Sequence, residues 1–177
     1  VVIGHSLGGF IGQRLYHLAP ERVVGLVMIG TVPLAKAYPP WVVWGMRAVT
    51  QVFRVIPYAW IISNSVRGIA VGAGVGAYFA DVMRKITPND YLTIWRSFAN
   101  AITVEDRPAD WKLEVPLLLL LGEREALGPP RWEMPRWTAT DSHAEFHRVP
   151  GAGHNAHQDN PATVNQFIRD FLTAHGI

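Results

Sequence analysis

Val1-Val2-Ile3-Gly4-His5-Ser6-Leu7-Gly8-Gly9-Phe10-Ile11-Gly12 opens the chain and decides how the rest is read. A short apolar, β-branched run stops at Gly4, a serine follows between small residues, and a helix-like segment, Phe10 to Leu18, begins at once. This is Gly-x-Ser-x-Gly with a strand before it and a helix after it, the context that gives five common residues a meaning. A serine on a tight strand-to-helix turn has its hydroxyl pushed clear of the backbone. The reading expects Gly4 and Gly8 to leave the room the turn needs. It also expects the Leu7 N–H to point out of the helix N-terminus, where developing negative charge is stabilised.

Gly4-His5-Ser6-Leu7-Gly8-Gly9 resembles the nucleophile elbow of the α/β-hydrolase superfamily, with serine where the epoxide-hydrolase and dehalogenase branches carry aspartate. The resemblance implies an α/β fold, a mostly parallel sheet with an inserted helical cap, and serine, acid and histidine in that chain order. It covers most of the chain, and its specific segments lie around Ser6, Leu117–Glu125 and Gly151–His154. In that plan the elbow follows the fifth strand. The chain is therefore expected to be the C-terminal half of the fold, with the N-terminal strands absent. Residues 1–33 and 112–177 are expected to form the hydrolase core and residues 34–111 the cap.

Composition bounds the function. With 177 residues, 49% of them apolar and 17% charged, the chain can bury a core and is not disordered. Its net charge of +2 comes without a run of Lys or Arg, so no nucleic-acid partner is expected. The absence of Cys removes disulfides, thiolate metal sites and cysteine nucleophiles together. It fits a reducing compartment, and a cytoplasmic location is the expectation.

Along the chain, Phe10, Ile11, Leu15 and Leu18 have the spacing of a helix with one buried face. Val23 to Ile29 lacks polar alternation, as a parallel strand covered on both faces should. Thr31 to about Trp111 differs in character: it opens with Pro33, Pro39 and Pro40 and is rich in aromatic and branched residues. Helix-like spacing appears over Val42–Val55 and Tyr91–Ile102. Within this cap Trp41, Trp44, Trp95 and Phe98 are candidates for an apolar substrate pocket, with Trp60 beside them. Packing in the core is the competing role for the same residues. Gly72-Ala73-Gly74-Val75-Gly76 lacks the preceding strand of a dinucleotide loop and is read as small-residue helix packing or a cap turn. Arg47, Arg54 and Arg67 interrupt Val42–Met83, so no transmembrane span is expected. Leu117–Leu121, bounded by Pro116 and Gly122, reads as a buried parallel strand. Pro129-Pro130 begins a loop followed by a short helix within Trp132–Thr140, and Ala144–Val149 is the last strand. A final helix starts at Pro161 with Asn160 as its cap.

A serine hydroxyl must lose its proton as it attacks, so Ser6 needs a histidine, and the histidine needs an acceptor. Of the seven histidines, His154 sits after the last strand among small residues, Gly151-Ala152-Gly153, and matches the superfamily's catalytic histidine in order and setting. His157 is the alternative, and His5 reads as a packing or hydrogen-bonding residue. The superfamily usually places Asp three residues after the glycine corresponding to Gly122. This chain has Glu125 there, one methylene longer, with Glu123 as the alternative. Asp81, Asp90, Asp106 and Asp110 read as solvated. One oxyanion donor is the Leu7 N–H, and the resemblance places the other on a loop this chain does not contain. Losing one donor costs about 100–1,000-fold in rate. The chain alone is therefore expected to be weakly active or inactive, and prone to associate through an open apolar edge at Val1–Gly4.

The function expected is a serine hydrolase that cleaves an ester-like small acyl substrate with an apolar portion, using no cofactor and no metal. Carbon–carbon bond hydrolase, lactonase, haloperoxidase-type and acyltransferase activities share the same elbow and triad. A non-catalytic ligand-binding protein, or an inactive fragment of the fold, is the alternative from a different class.

Overall fold

A computed structural model of the chain describes residues 1–34, 38–101 and 112–177. Four strands, β1 (Val2–His5), β2 (Leu26–Ile29), β3 (Leu117–Gly122) and β4 (Ala144–Val149), form one sheet in the order β1-β2-β3-β4. Every pairing is parallel: Val2 lies opposite Leu26, Leu26 opposite Leu117, and Leu117 opposite Ala144. All four carboxyl ends therefore open on the same edge, where α/β sheets gather their functional loops.

The apolar runs at the centre become strands because both faces are covered. Leu117 to Leu121 are fully buried, and Leu26 to Ile29 nearly so. Alternation assigns them to two cores. Leu26, Met28, Leu117, Leu119 and Leu121 pack with Tyr16 of α1 (Leu7–Leu18) and with Met134 and Trp137 of α6 (Gly128–Trp137). Val27, Ile29, Leu118 and Leu120 pack with Val164 and Phe171 of α8 (Pro161–His175). The Asn160 carboxamide caps α8 by accepting from the Thr163 N–H at 3.2 Å, the role expected of it.

Between β2 and β3 the described chain forms α2 (Pro40–Phe53), α3 (Tyr58–Ile69), α4 (Ala73–Arg84) and α5 (Pro88–Ala101). Ile61, Ile62, Ala80 and Met83 make a small core of their own between these helices. Gly76 lets α4 close on α3, since a Cβ there would meet Val66 Cγ1 at 3.0 Å. The glycine-rich stretch is thus helix packing and a corner. None of the described helices is long and apolar enough to cross a membrane. The expected helix end at Ile102, the solvated Asp106 and Asp110, and the boundary at Trp111 lie outside the described residues.

Two local expectations need correction. Pro129 and Pro130 fall within the first turn of α6, not in a loop. The first turn has no intrahelical acceptors for its N–H groups, so proline loses nothing there. The buried face of α1 is Gly9, Phe10, Gly12, Gln13 and Tyr16, whereas Ile11, Leu15 and Leu18 are exposed. The sequence pattern found an apolar stripe, but on the flank of α1 turned away from the sheet. Gln13 is buried because its amide is fully used, donating to the Gly9 and Val32 carbonyls and accepting from the Leu34 N–H.

Candidate active site

Ser6 stands between β1 and α1 with φ 51° and ψ −117°. It is the only described non-glycine residue with positive φ, a conformation that stores strain. The turn is held by the Ser6 N–H on the Ile29 carbonyl at 2.9 Å and the Gly9 N–H on the Ser6 carbonyl at 3.0 Å. Gly4 is required, because a Cβ there would lie 2.5 Å from the Gly8 carbonyl oxygen. The second required glycine is not Gly8, whose Cβ would meet nothing within 4 Å, but Gly9, where a Cβ would meet the Thr31 side chain at 2.5 Å. Leu7 is the first residue of α1, so its N–H is one of the unpaired donors of that helix start.

At the neighbouring strand ends, His154 Nδ1 and Glu125 Oε2 are 2.7 Å apart, with both side chains almost fully buried. The second carboxylate oxygen of Glu125 accepts the Leu127 N–H at 2.8 Å, so both oxygens are engaged and the longer side chain is fixed. Glu123 points elsewhere and accepts the Gly151 N–H at 2.9 Å in an exposed position. The histidine loop closes directly on β3: a Cβ on Gly122 would run into the carbonyl oxygens of Gly153 and Ala152. The His154 ring lies against Gly30, one residue beyond the Ile29 carbonyl that anchors Ser6, with a Gly30 Cβ falling 3.1 Å from Nδ1. Ser6, Glu125 and His154 thus follow the carboxyl ends of β1, β3 and β4 on one edge of the sheet, with β2 and its Gly30 between the serine and the other two.

His5 holds this arrangement from beneath. Its Nε2–H donates to the His154 carbonyl at 3.0 Å, and its ring packs 4.8 Å from that of His154 and 4.7 Å from that of His157. Burial, then the charges His154 and His157 would carry, push the His5 pKa down to about 3, so the ring is neutral. Burial followed by His154 also lowers the pKa of His157. Sequence reasoning left His5 without a partner, and overlooked Gly9 and Gln13, because these roles depend on contacts far away in the chain.

The four aromatic pocket candidates separate. Trp41 and Trp44 are each 73% exposed, three residues apart on α2. Trp95 packs on Phe53 and Phe98 at 5.2 and 5.7 Å. Phe98 meets Phe10 edge-on at 5.5 Å and joins the cluster that includes Leu7, so it lies beside the serine turn. Trp60 is exposed as well. A cavity of about 940 Å³ lies between α3 and α4, lined by Ile62, Val66, Arg67, Ala77 and Arg84 among others, and includes none of Ser6, Glu125 and His154.

A family model described as alpha/beta hydrolase family matches residues 1–167. Among solved structures the chain is similar to a thermophilic esterase, with a TM-score of 0.76 and 24% identity over 99% of this chain and 66% of that one. It is similar to a thermophilic esterase from Thermogutta terrifontis with malate bound, with a TM-score of 0.68 and 25% identity over 98% of this chain and 64% of the other. An enol-lactonase from Burkholderia xenovorans matches with a TM-score of 0.70 and 17% identity, over 97% of this chain and 64% of its own length. The chain thus spans just under two thirds of these relatives. A comparison with curated protein sequences gives no significant match.

Proposed function

The chain belongs to the alpha/beta hydrolase family, and on that premise we propose that it is a serine hydrolase cleaving an ester-like acyl substrate with an apolar portion. The observation that carries this reading is the buried 2.7 Å contact between His154 Nδ1 and Glu125 Oε2 beside a serine held at positive φ. With the Nδ1–H given to Glu125, Nε2 is the nitrogen left to accept the Ser6 proton.

Ser6 Oγ would bond to the acyl carbon as its proton passes to His154 Nε2. Glu125, held by the Leu127 N–H, would stabilise the imidazolium without taking a proton itself. The Leu7 N–H would donate to the oxyanion. Collapse breaks the ester C–O bond, and the leaving alkoxide takes the proton from His154. Water, deprotonated by the same nitrogen, then attacks the acyl-enzyme. The acid departs and Ser6 recovers its proton. Esterases and an enol-lactonase among the similar structures support an ester-type bond. Phe98, packed with Phe10 near Leu7, is the best-placed of the four aromatic candidates for the apolar part of the substrate.

Fluorophosphonate labelling of the purified chain tests the reading without a guess about substrate, with Ser6→Ala and heat-unfolded protein as controls. Labelling of the folded chain that vanishes in both controls is the expected result. Labelling that persists in Ser6→Ala would overturn it, and absence of labelling from the folded chain would overturn the activity of this chain by itself. An ester panel of increasing acyl length then reads the apolar preference.

A further inference from the structure

Glu125 fixes the ring of His154, but the backbone that carries the ring is fixed from a different direction. Asp159, at the end of the short helix α7 (Ala156–Asp159), accepts the Gly153 N–H on Oδ2 at 2.9 Å. The same carboxylate accepts the Gly72 N–H at 3.0 Å and the Val71 N–H at 3.1 Å on Oδ1, with Oδ2 3.2 Å from the latter. Gly153 directly precedes His154, whereas Val71 and Gly72 form the corner between α3 and α4. On the other side of the histidine, the Asn155 N–H donates to the Ile69 carbonyl at the same corner, at 3.0 Å.

We infer that Asp159 is a positioning residue for His154, and that it acts by clamping the α3–α4 corner onto the histidine loop. The catalytic consequence rests on the serine-hydrolase reading; the clamp itself rests on geometry. Three backbone donors converge on one carboxylate, and hydrogen bonds to a charged acceptor are the stronger kind. The junction has no slack. A Cβ on Gly153 would lie 3.0 Å from the Ile69 carbonyl oxygen, 3.2 Å from Val71 Cγ2 and 3.3 Å from Asp159 Oδ2. Both residues flanking His154 are therefore tied to a helical segment more than eighty positions earlier in the chain. The ring can hold its place over Gly30 only while that segment is seated.

Two variants of the full chain attack the clamp from opposite ends. Asp159→Asn keeps the shape but turns one acceptor oxygen into a donor facing N–H groups. Gly72→Pro removes one N–H at a residue whose φ of −72° already suits proline, and leaves the histidine loop untouched. Thermal melts first establish the temperature at which each variant is folded. The readouts there are the downfield proton resonance of His154 Nδ1–H and the fluorophosphonate labelling rate per folded molecule. The expected result is a shifted or broadened resonance in both variants. Labelling should fall about tenfold or more in Asp159→Asn, and less in Gly72→Pro, as small misplacements of a catalytic group do.

Folded variants with the native resonance and the native labelling rate would reduce Asp159 to a structural staple and overturn the inference. A change in Asp159→Asn alone would overturn the part played by the corner. If Asp159→Asn does not fold, Gly72→Pro decides. A native chain that never labels would sink the reading of this chain as a self-sufficient hydrolase, while the resonance comparison still decides the clamp.

Discussion

The two sides of this sheet are finished differently. On the β3–β4 side, α8 covers the strands, both oxygens of Glu125 are bonded, and the backbone on each side of His154 is tied down. On the β1 side Val1, Ile3, Ile11, Leu15 and Leu18 are all exposed along an edge strand and the helix beside it. The serine turn nevertheless keeps its strained geometry there. Gly4 keeps the turn itself tight, while Gly9 and Gln13 pack it against Thr31, Val32 and Leu34, the residues after β2 on the covered side. A site can therefore be well set at its own residues while the flank next to it stays bare.

The largest effect should come from breaking the finished side at its centre. Glu125→Gln preserves shape but offers the wrong partner to the imidazole. The labelling rate of Ser6 is expected to fall by about 10⁴-fold, as loss of the orienting carboxylate does in related chemistry. Glu123→Gln, one residue beyond the end of β3 and with its side chain bonded to an exposed N–H, should change the rate little. Equal effects from the two would refute the assignment of Glu125. At the serine turn, Gly4→Ala pushes a methyl into the Gly8 backbone and should cost about 1–3 kcal/mol in chemical denaturation, or more. Gly8→Ala meets open space inside a helix and should be neutral, or stabilising by about 0.4–1 kcal/mol.

Much of this was readable in the sequence. The elbow, the buried leucine strand and the histidine loop each announce themselves locally, through glycines, an unbroken apolar run and a short spacing. Glu125 was legible through its offset from Gly122, although its second bond to Leu127 was not. What could not be read depends on distant chain segments meeting. Gln13 looks like a surface residue of α1 until the Val32 carbonyl and the Leu34 N–H are placed beside it. Asp159 looks like a solvated helix end until the α3–α4 corner reaches it. The exposure of Trp41 and Trp44 was equally hidden, since aromatic character says nothing about which face of α2 is covered.

The histidine cluster gives a subtler test of the covered side. The unfolded chain protonates His5 near the ordinary value of 6.5, and the folded chain not until about 3. Between those values the unfolded state binds more protons. The stability contribution is complete above pH 6.5 and is lost as pH falls towards 3, by at most about 1.4 kcal/mol per pH unit from this group. His157, lowered by burial, acts in the same direction. Denaturation midpoints at pH 7.5, 6 and 5 should fall in that order, and His5→Gln should flatten the dependence. An unchanged slope in the variant would place the acid sensitivity elsewhere.

The smallest effect on stability, and the sharpest check on the contrast, belongs to the bare flank. Ile11 and Leu15 are 64% and 43% exposed, so exchanging both for Gln removes little buried surface. Each change should stay within about 0.5 kcal/mol, as surface substitutions do. The same changes break up an apolar patch next to an unpaired strand edge, the kind of surface that drives association. The double variant should therefore elute later than the parent in gel filtration across a dilution series, with the Ser6 labelling rate unchanged. A large loss of stability would mean that this flank is covered within the folded chain, and the difference between the two sides of the sheet would disappear.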